Sequence, residues 1–210
     1  MTKIIYIRHG QTEWNIQGRY QGQTDVALSP LGIQQAEALA RFFPAPHLDA
    51  IYASDLSRAM HTAEAVAQPF HLTVQPRKDL RELHFGDWEG CSLAAMEEGW
   101  PDLYRDFFRH PDKLQIPGGE TFPHLQARAT ACIAELCRAH EGQTIAVVAH
   151  GAILRTILCA ALHIDLQYVW TIRQFNTAVS IVRYENEEGA WPTVELMNST
   201  AHLDRAGVQK

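Results

Sequence analysis

Two stretches of this 210-residue sequence follow one pattern: I-I-Y-I-R-H-G over residues 4–10 and I-A-V-V-A-H-G over residues 145–151. Each is a short apolar, β-branched run that ends in His-Gly and then breaks into non-strand sequence. Continuous apolar runs of this length suit strands buried on both faces, as in parallel sheets flanked by helices. The rest of the chain alternates in the same way. Lys3–Ile7, Asp49–Ala53, His71–Val74 and Thr144–Ala149 read as strands. A helix is expected to open at Ser29-Pro30, with Ser at the N-cap and Pro at the first helical position, and with Leu39, Phe42 and Phe43 on its apolar face. A second helix is expected from a cap at Ser54 to about Ala67, and a third over Ala152–Leu162, apolar enough to be buried. Ala178–Tyr184 and Thr193–Met197 flank an N-E-E-G turn and read as a hairpin at the sheet edge. Strands alternating with helices predict a three-layer, doubly wound α/β fold, a mainly parallel sheet with helices on both faces.

Between Gly90 and Glu120 the pattern changes. Trp100-Pro101, Pro111, Pro117 and Gly118-Gly119 punctuate two short helical pieces, before Phe122–His140 returns to regular helix with Phe122, Leu125, Ala129, Cys132, Ile133 and Leu136 on one face. Residues 91–121 are therefore read as a helical cap insertion over the functional edge of the sheet, within a single domain spanning 1–204 that is followed by a frayed tail at 205–210. Composition narrows the partners. Eighteen Lys and Arg against 24 Asp and Glu leave a net charge of −6, which argues against nucleic acid or an anionic membrane surface. No apolar run approaches the ~18 residues of a membrane span, and Met1–Tyr6 reads as a strand rather than a leader, so the cytoplasm is the expectation. The cysteines at 91, 132, 137 and 159 form no C-x-x-C pair, and the last three are read as small core residues.

In open α/β sheets, ligands bind beyond the carboxyl ends of the strands. If the two His-Gly strands are neighbours, His9 and His150 enter one crevice, and Gly10 and Gly151 permit tight exit turns and close backbone approach. The strand at 51–53 ends at the same edge and delivers Arg58 in the first turn of its helix, where backbone N–H groups favour an anion. The crevice then holds two histidines and two arginines, Arg8 and Arg58. Guanidinium forks grip phosphate oxygens. A neutral imidazole pinned through its other nitrogen can accept a phosphoryl group. A proton for the leaving oxygen would come from Glu82 or Asp87 in R-E-L-H-F-G-D-W-E-G (81–90). Each piece also has a plain reading: a single His-Gly after a strand is ordinarily a turn, Arg58 alone a solvated helix residue, Glu82 alone a surface residue. Two histidines at matching topological positions favour a site. Metal ligation is the rival, but Arg8 beside His9 would repel a cation and no H-x-H or H-E-x-x-H spacing exists. The remaining histidines, His84 apart, read as scattered surface or helix-end residues.

Five motifs in order, R-H-G-Q-T-E-W-N (8–15), L-S-P-L-G (28–32), S-D-L-S-R-A (54–59), R-E-L-H-F-G-D-W-E-G and V-A-H-G (148–151), resemble the histidine phosphatase superfamily, also called phosphoglycerate mutase-like, over residues 3 to about 200. The resemblance implies that His9 accepts the phosphoryl group, that Arg8, Arg58 and His150 hold its oxygens, and that Glu82 is the acid–base carboxylate. It implies phosphate or substrate contacts for Asn15, Gln21 and Gly22, and no metal or cofactor. Mutases of the family carry a longer cap with a basic segment after the acidic motif. Here C-S-L-A-A-M-E-E-G-W-P follows instead, and G-D-W-E-G, P-G-G-E and N-S-T-A-H-L (198–203) are more similar to the broad-specificity, phosphoserine and α-ribazole phosphatases. The expectation is a metal-independent phosphomonoester hydrolase acting on a small phosphorylated metabolite through a phosphohistidine on His9. The alternatives are a cofactor-dependent phosphoglycerate mutase, and a catalytically inactive phosphate-binding regulatory module, whose hallmark loss of His9, an arginine or the acid is not seen. His84 could touch the non-phosphate end of a substrate or merely the cap. Arg105, Arg109 and Lys113 could face cleft or solvent. Phe85, Trp88, Trp100, Phe107 and Phe108 would make the cap partly apolar and suit a bulkier leaving group. The hairpin edge at 178–197 is a place for a homodimer to pair.

Overall fold

The computed structural model describes residues 1–185, 187 and 189–210. In chain order its elements are β1 (Thr2–Arg8), α1 (Glu13–Ile16), α2 (Pro30–Arg41), β2 (Ala50–Ser54), α3 (Ser57–Ala67), β3 (Val74–Arg77), α4 (Leu93–Gly99), α5 (Pro101–Arg109), α6 (Phe122–Ala139), β4 (Thr144–Ala149), α7 (Gly151–Leu162), β5 (Val179–Tyr184), β6 (Thr193–Ser199) and α8 (Ala201–Ala206). The six strands form one mixed sheet in the order β3-β2-β4-β1-β5-β6. The first four are parallel, and β5 and β6 add an antiparallel edge. Strand periodicity divides β1 between two cores. Ile5 and Ile7 pack with Leu39, Ile51, Ala63 and Val66 under α2 and α3. Ile4 and Tyr6 join Leu125, Ile133, Val147 and Ile157 under α6 and α7. The fold is the expected α/β sandwich of helices around a sheet.

The cap is built into the second core. Phe107 of α5 is wholly buried, and its ring centroid lies 4.7 Å from that of Trp170, 5.4 Å from Tyr20, 5.6 Å from Trp88 and 6.0 Å from Phe85. Trp170 Nε1 donates to the Phe107 carbonyl at 2.6 Å. Cys132 and Cys159 are buried and Cys137 partly so, and all four thiols are free.

Several boundaries differ from the sequence reading. The third strand begins at Val74, because His71 holds φ +55° in the turn after Gln68–Phe70 and cannot be extended. Ser54 is the last residue of β2 and does not cap α3; its N-cap is Leu56, whose hydrocarbon side chain carries no acceptor. Asp25, remote in sequence, supplies the missing acceptor, taking the Ser57 N–H at 2.9 Å and its hydroxyl at 2.8 Å. The supposed tail is partly ordered: Arg205 lies inside α8, and the Gln209 carbonyl accepts from Gln35 Nε2 at 3.0 Å. Residues 186 and 188 of the N-E-E-G turn lie outside the described residues.

Candidate active site

β1 and β4 run side by side with Arg8 opposite Ala149, so His9 and His150 leave the sheet together. The His9 N–H donates to the Ala149 carbonyl at 3.0 Å, and the two imidazole centroids are 5.2 Å apart. β2, on the far side of β4, leads into α3 and brings in Arg58. Its guanidinium is fully buried and donates three ways: Nε to His150 Nδ1 at 3.2 Å, Nη1 to the Thr24 carbonyl at 2.9 Å, and Nη2 to the Gly22 carbonyl at 2.7 Å.

These contacts give the two imidazoles opposite polarity. A guanidinium N–H can only donate, so His150 Nδ1 accepts and the ring proton sits on Nε2. A carbonyl can only accept, so His9 Nδ1, 2.6 Å from the Gly10 carbonyl, carries its proton and leaves a lone pair on Nε2. Burial, then the Arg58 charge, push both imidazoles well below their ordinary range, so both are neutral at pH 7. Arg8 and Arg58 are each brought down to about 10, chiefly by burial, and remain charged. Arg8 Nη1 donates to the Gln174 carbonyl at 2.7 Å. Arg8 Nε and His150 Nε2 are buried donors with no partner among the described residues, and the buried Gln21 Oε1 has none either. Such atoms are costly unless a ligand satisfies them.

Glu82 completes the ring. Its Oε2 accepts the Ala152 N–H at 2.9 Å, and its Oε1 accepts those of Ile153 at 3.1 Å and Leu83 at 2.9 Å, so the carboxyl group sits on the N-terminus of α7. Arg128 clamps the segment from behind, donating to the carbonyls of Asp79, Arg81 and Glu82 at 2.8–2.9 Å. Asn15, in the capping box of α1, shares Asn176 with the end of β1. Asn176 Nδ2 donates to the His9 carbonyl at 3.1 Å and to Asn15 Oδ1 at 3.2 Å. The Gln21–Thr24 loop hangs on Glu89, whose carboxylate takes the N–H groups of Gln23 at 2.9 Å and Thr24 at 3.0 Å. Gly22 holds φ +54°, and a Cβ there would collide with the Glu89 side chain.

The cavity over these groups has a volume of about 250 Å³. Arg8, His9, Asn15, Gln21, Gly22, Arg58, Glu82 and Gly151 line it, and His150 lies just behind, fully buried. Of the two acid candidates only Glu82 lines the cavity. His84 does not; it is exposed, with Nε2 3.7 Å from Glu89 Oε1. The lining is partly apolar, but of the five cap aromatics only Phe85 contributes to it; Trp88 and Phe107 are buried in the cap's own core, and Trp14, Tyr20, Leu93 and Trp170 supply the other apolar surface. Arg105 pairs with Asp102 and Asp106, and neither it nor Arg109 or Lys113 lines the cavity. Sequence reasoning missed Trp14, Arg19, Tyr20, Leu93, Arg155 and Trp170. Arg155 had a signal: it is the lone charge in a helix otherwise apolar enough to be buried, one turn after Gly151. Among the described residues no group of three or more His, Cys, Asp or Glu is placed to hold a metal, and no helix is long and apolar enough to cross a membrane.

An α/β sheet whose parallel strands end in two neutral, oppositely protonated histidines ringed by arginines defines a phosphoryl-transfer site. Sequence comparison sharpens this: a model of the histidine phosphatase superfamily (branch 1) matches residues 4–200. Phosphoserine phosphatase 1 of Hydrogenobacter thermophilus is 34% identical over 97% of this chain and 95% of its own. Bacillus stearothermophilus YhfR superposes with a TM-score of 0.91 at 31% identity, over 97% of this chain and all of the other. A phosphoserine phosphatase variant from Entamoeba histolytica, solved with phosphoserine, superposes with a TM-score of 0.85 at 31% identity, over 97% and 100% of the two chains. The chain belongs to the histidine phosphatase superfamily and is a phosphatase of small molecules.

Proposed function

We propose that the protein hydrolyses a small phosphate monoester by forming a phosphohistidine on His9 Nε2. The observation that carries this is the opposed protonation of His9 and His150, which makes one ring a nucleophile and the other a donor. The phosphoryl group enters between Arg8, Arg58 and His150. Arg8 Nε and the His150 Nε2 proton, unpartnered at rest, meet its equatorial oxygens. His9 Nε2 bonds to phosphorus as the ester P–O bond breaks, and Glu82 gives a proton to the leaving alcohol oxygen. Water then attacks the phosphohistidine, Glu82 takes the water's proton, the P–N bond breaks, and inorganic phosphate leaves. Two modest barriers replace one high one. Asn15 acts indirectly, through Asn176 and the His9 carbonyl. Gln21 and Gly22 shape the wall beside the phosphate.

His9→Ala is expected to abolish phosphate release from p-nitrophenyl phosphate, with acid-quenched trapping showing phosphate on His9 and none on His150. Substantial residual turnover defeats the assignment. A mutase would need to keep water out and re-bind its product in a second orientation, and the absence of the basic cap segment of the mutases after Gly90 favours hydrolysis. Conversion of 3- to 2-phosphoglycerate faster than phosphate release would reverse that choice. An inactive module is disfavoured because every charged group the chemistry needs is present and aimed inward. The substrate is a compact metabolite, to be found by comparing kcat/KM across phosphoserine, 3-phosphoglycerate, α-ribazole phosphate, nucleotides and sugar phosphates. Four free thiols suit a reducing compartment, and we place the protein in the cytoplasm, without nucleic-acid or membrane partners. The exposed edge of β6 is where a second copy would pair, if the protein dimerises.

A further inference from the structure

Arg155 has no part in the phosphoryl chemistry above, yet it is held as firmly as the groups that do. Its Nε donates to the Ile172 carbonyl at 2.7 Å, and its guanidinium carbon lies 5.3 Å from the centre of the Trp170 ring. Trp170 is itself fixed to the cap through the Phe107 carbonyl. The side chain is half-buried and lines the cavity. Among the described residues its two terminal nitrogens have no hydrogen-bond partner and no carboxylate forms an ion pair with it. Immobilising a guanidinium this way, with both terminal nitrogens free, leaves a preformed fork for an anion.

Its position tells which anion. The place a Cβ would occupy on Gly151 is 3.0 Å from Arg155 Nη1 and 3.7 Å from both Arg8 Nε and Glu82 Oε2. The absent side chain therefore leaves a gap between Arg155, Arg8 and the acid. Glu82 must face the leaving oxygen, so Arg155 flanks the leaving group, not the phosphoryl oxygens held by Arg58 and His150. Charge counting agrees. The cavity lining carries Arg8, Arg19, Arg58 and Arg155 against the single carboxylate of Glu82. A phosphate monoester brings about two negative charges, which leaves one cation without a partner.

We infer that Arg155 receives a carboxylate on the leaving group, so that the preferred substrates are short phosphorylated carboxylic acids. This rests on the phosphatase reading and names its substrate class. A second phosphate fits less well, because the one cation of the lining left without a partner balances a single negative charge.

Two near-isosteric pairs test it: 3-phosphoglycerate against glycerol 3-phosphate, and O-phosphoserine against phosphoethanolamine. Each pair differs at the carboxylate alone. The wild-type protein should favour the acid of each pair by roughly 10–100-fold in kcat/KM, the worth of a charge-assisted contact. Arg155→Met should collapse that ratio towards one, while Arg155→Lys keeps part of it. Equal wild-type rates within each pair overturn the inference, as does a ratio that Arg155→Met leaves intact. So does an equal loss on both members, which would make Arg155 another phosphate ligand. Should Arg155→Met not fold, the wild-type ratio and its change in Arg155→Lys decide alone. No release from any ester, p-nitrophenyl phosphate included, would instead sink the phosphatase reading itself.

Discussion

His9 and His150 are the same residue in the same topological place, and one atom on each tells them apart: a carbonyl faces Nδ1 of the first, a guanidinium N–H faces Nδ1 of the second. Burial holds both below their ordinary range, and His202, which faces Thr177 Oγ1 at 3.0 Å, is lowered to about 4. Two consequences follow for pH. The His9 and His150 ring protons, followed by NMR between pH 7.5 and 5.5 in the free protein, should show no titration near 6.5, since both imidazoles stay unprotonated there; a midpoint near 6.5 in either ring would contradict this. Stability should behave differently. Below pH 6.5 the unfolded chain binds protons on these imidazoles while the folded one does not, so stability falls as pH falls, by up to about 1.4 kcal/mol per pH unit for each group. Thermal melts between pH 7 and 5 should show the decline, with a shallower slope in His150→Gln. At Gly22 the demand is steric. Gly22→Ala places a side chain at φ +54° against Glu89. It should displace the Gly22 and Thr24 carbonyls that orient Arg58 and lower kcat/KM at least 10-fold, measured beside a melt showing the protein still folded.

Elements with local signals were legible in the sequence. Ser29 caps α2 by accepting from Gly32, and Pro30 starts it, because both act within four residues. The apolar face of α6 was readable to the residue, since helical period alone places Phe122, Leu125, Ala129, Cys132, Ile133 and Leu136 inward. The start of α3 was not legible, because its cap is Asp25 from another loop. The cap helices were found, but not which aromatics they spend on themselves. Phe107 is the centre of that cluster, and Phe107→Ala should cost about 3–5 kcal/mol. Trp170 stands against Phe107 and also supports Arg155. The same change should therefore raise KM more than it lowers kcat, as urea unfolding and steady-state kinetics can check.

Across the whole molecule, a net charge of −6 coexists with an arginine-lined cavity. Bulk charge governs solubility and long-range attraction, while the pocket's field is set by groups a few ångströms away. Orthophosphate should therefore stabilise the protein despite the like overall charge. At 100 times its dissociation constant the gain is about 2.7 kcal/mol, roughly 5–10 °C in Tm for a chain of this length. Arg8→Ala should abolish that shift in a melting experiment. The sequence by itself determined the layered sheet, the two His-Gly strand ends, the arginines beside them and the acid at Glu82, because each is written in a run of neighbouring residues. Only the tertiary structure decided that Arg155 lines the cavity while His84 does not, and which nitrogen of each imidazole carries its proton. Those depend on what a residue meets across the fold, and a chain read one window at a time does not contain that.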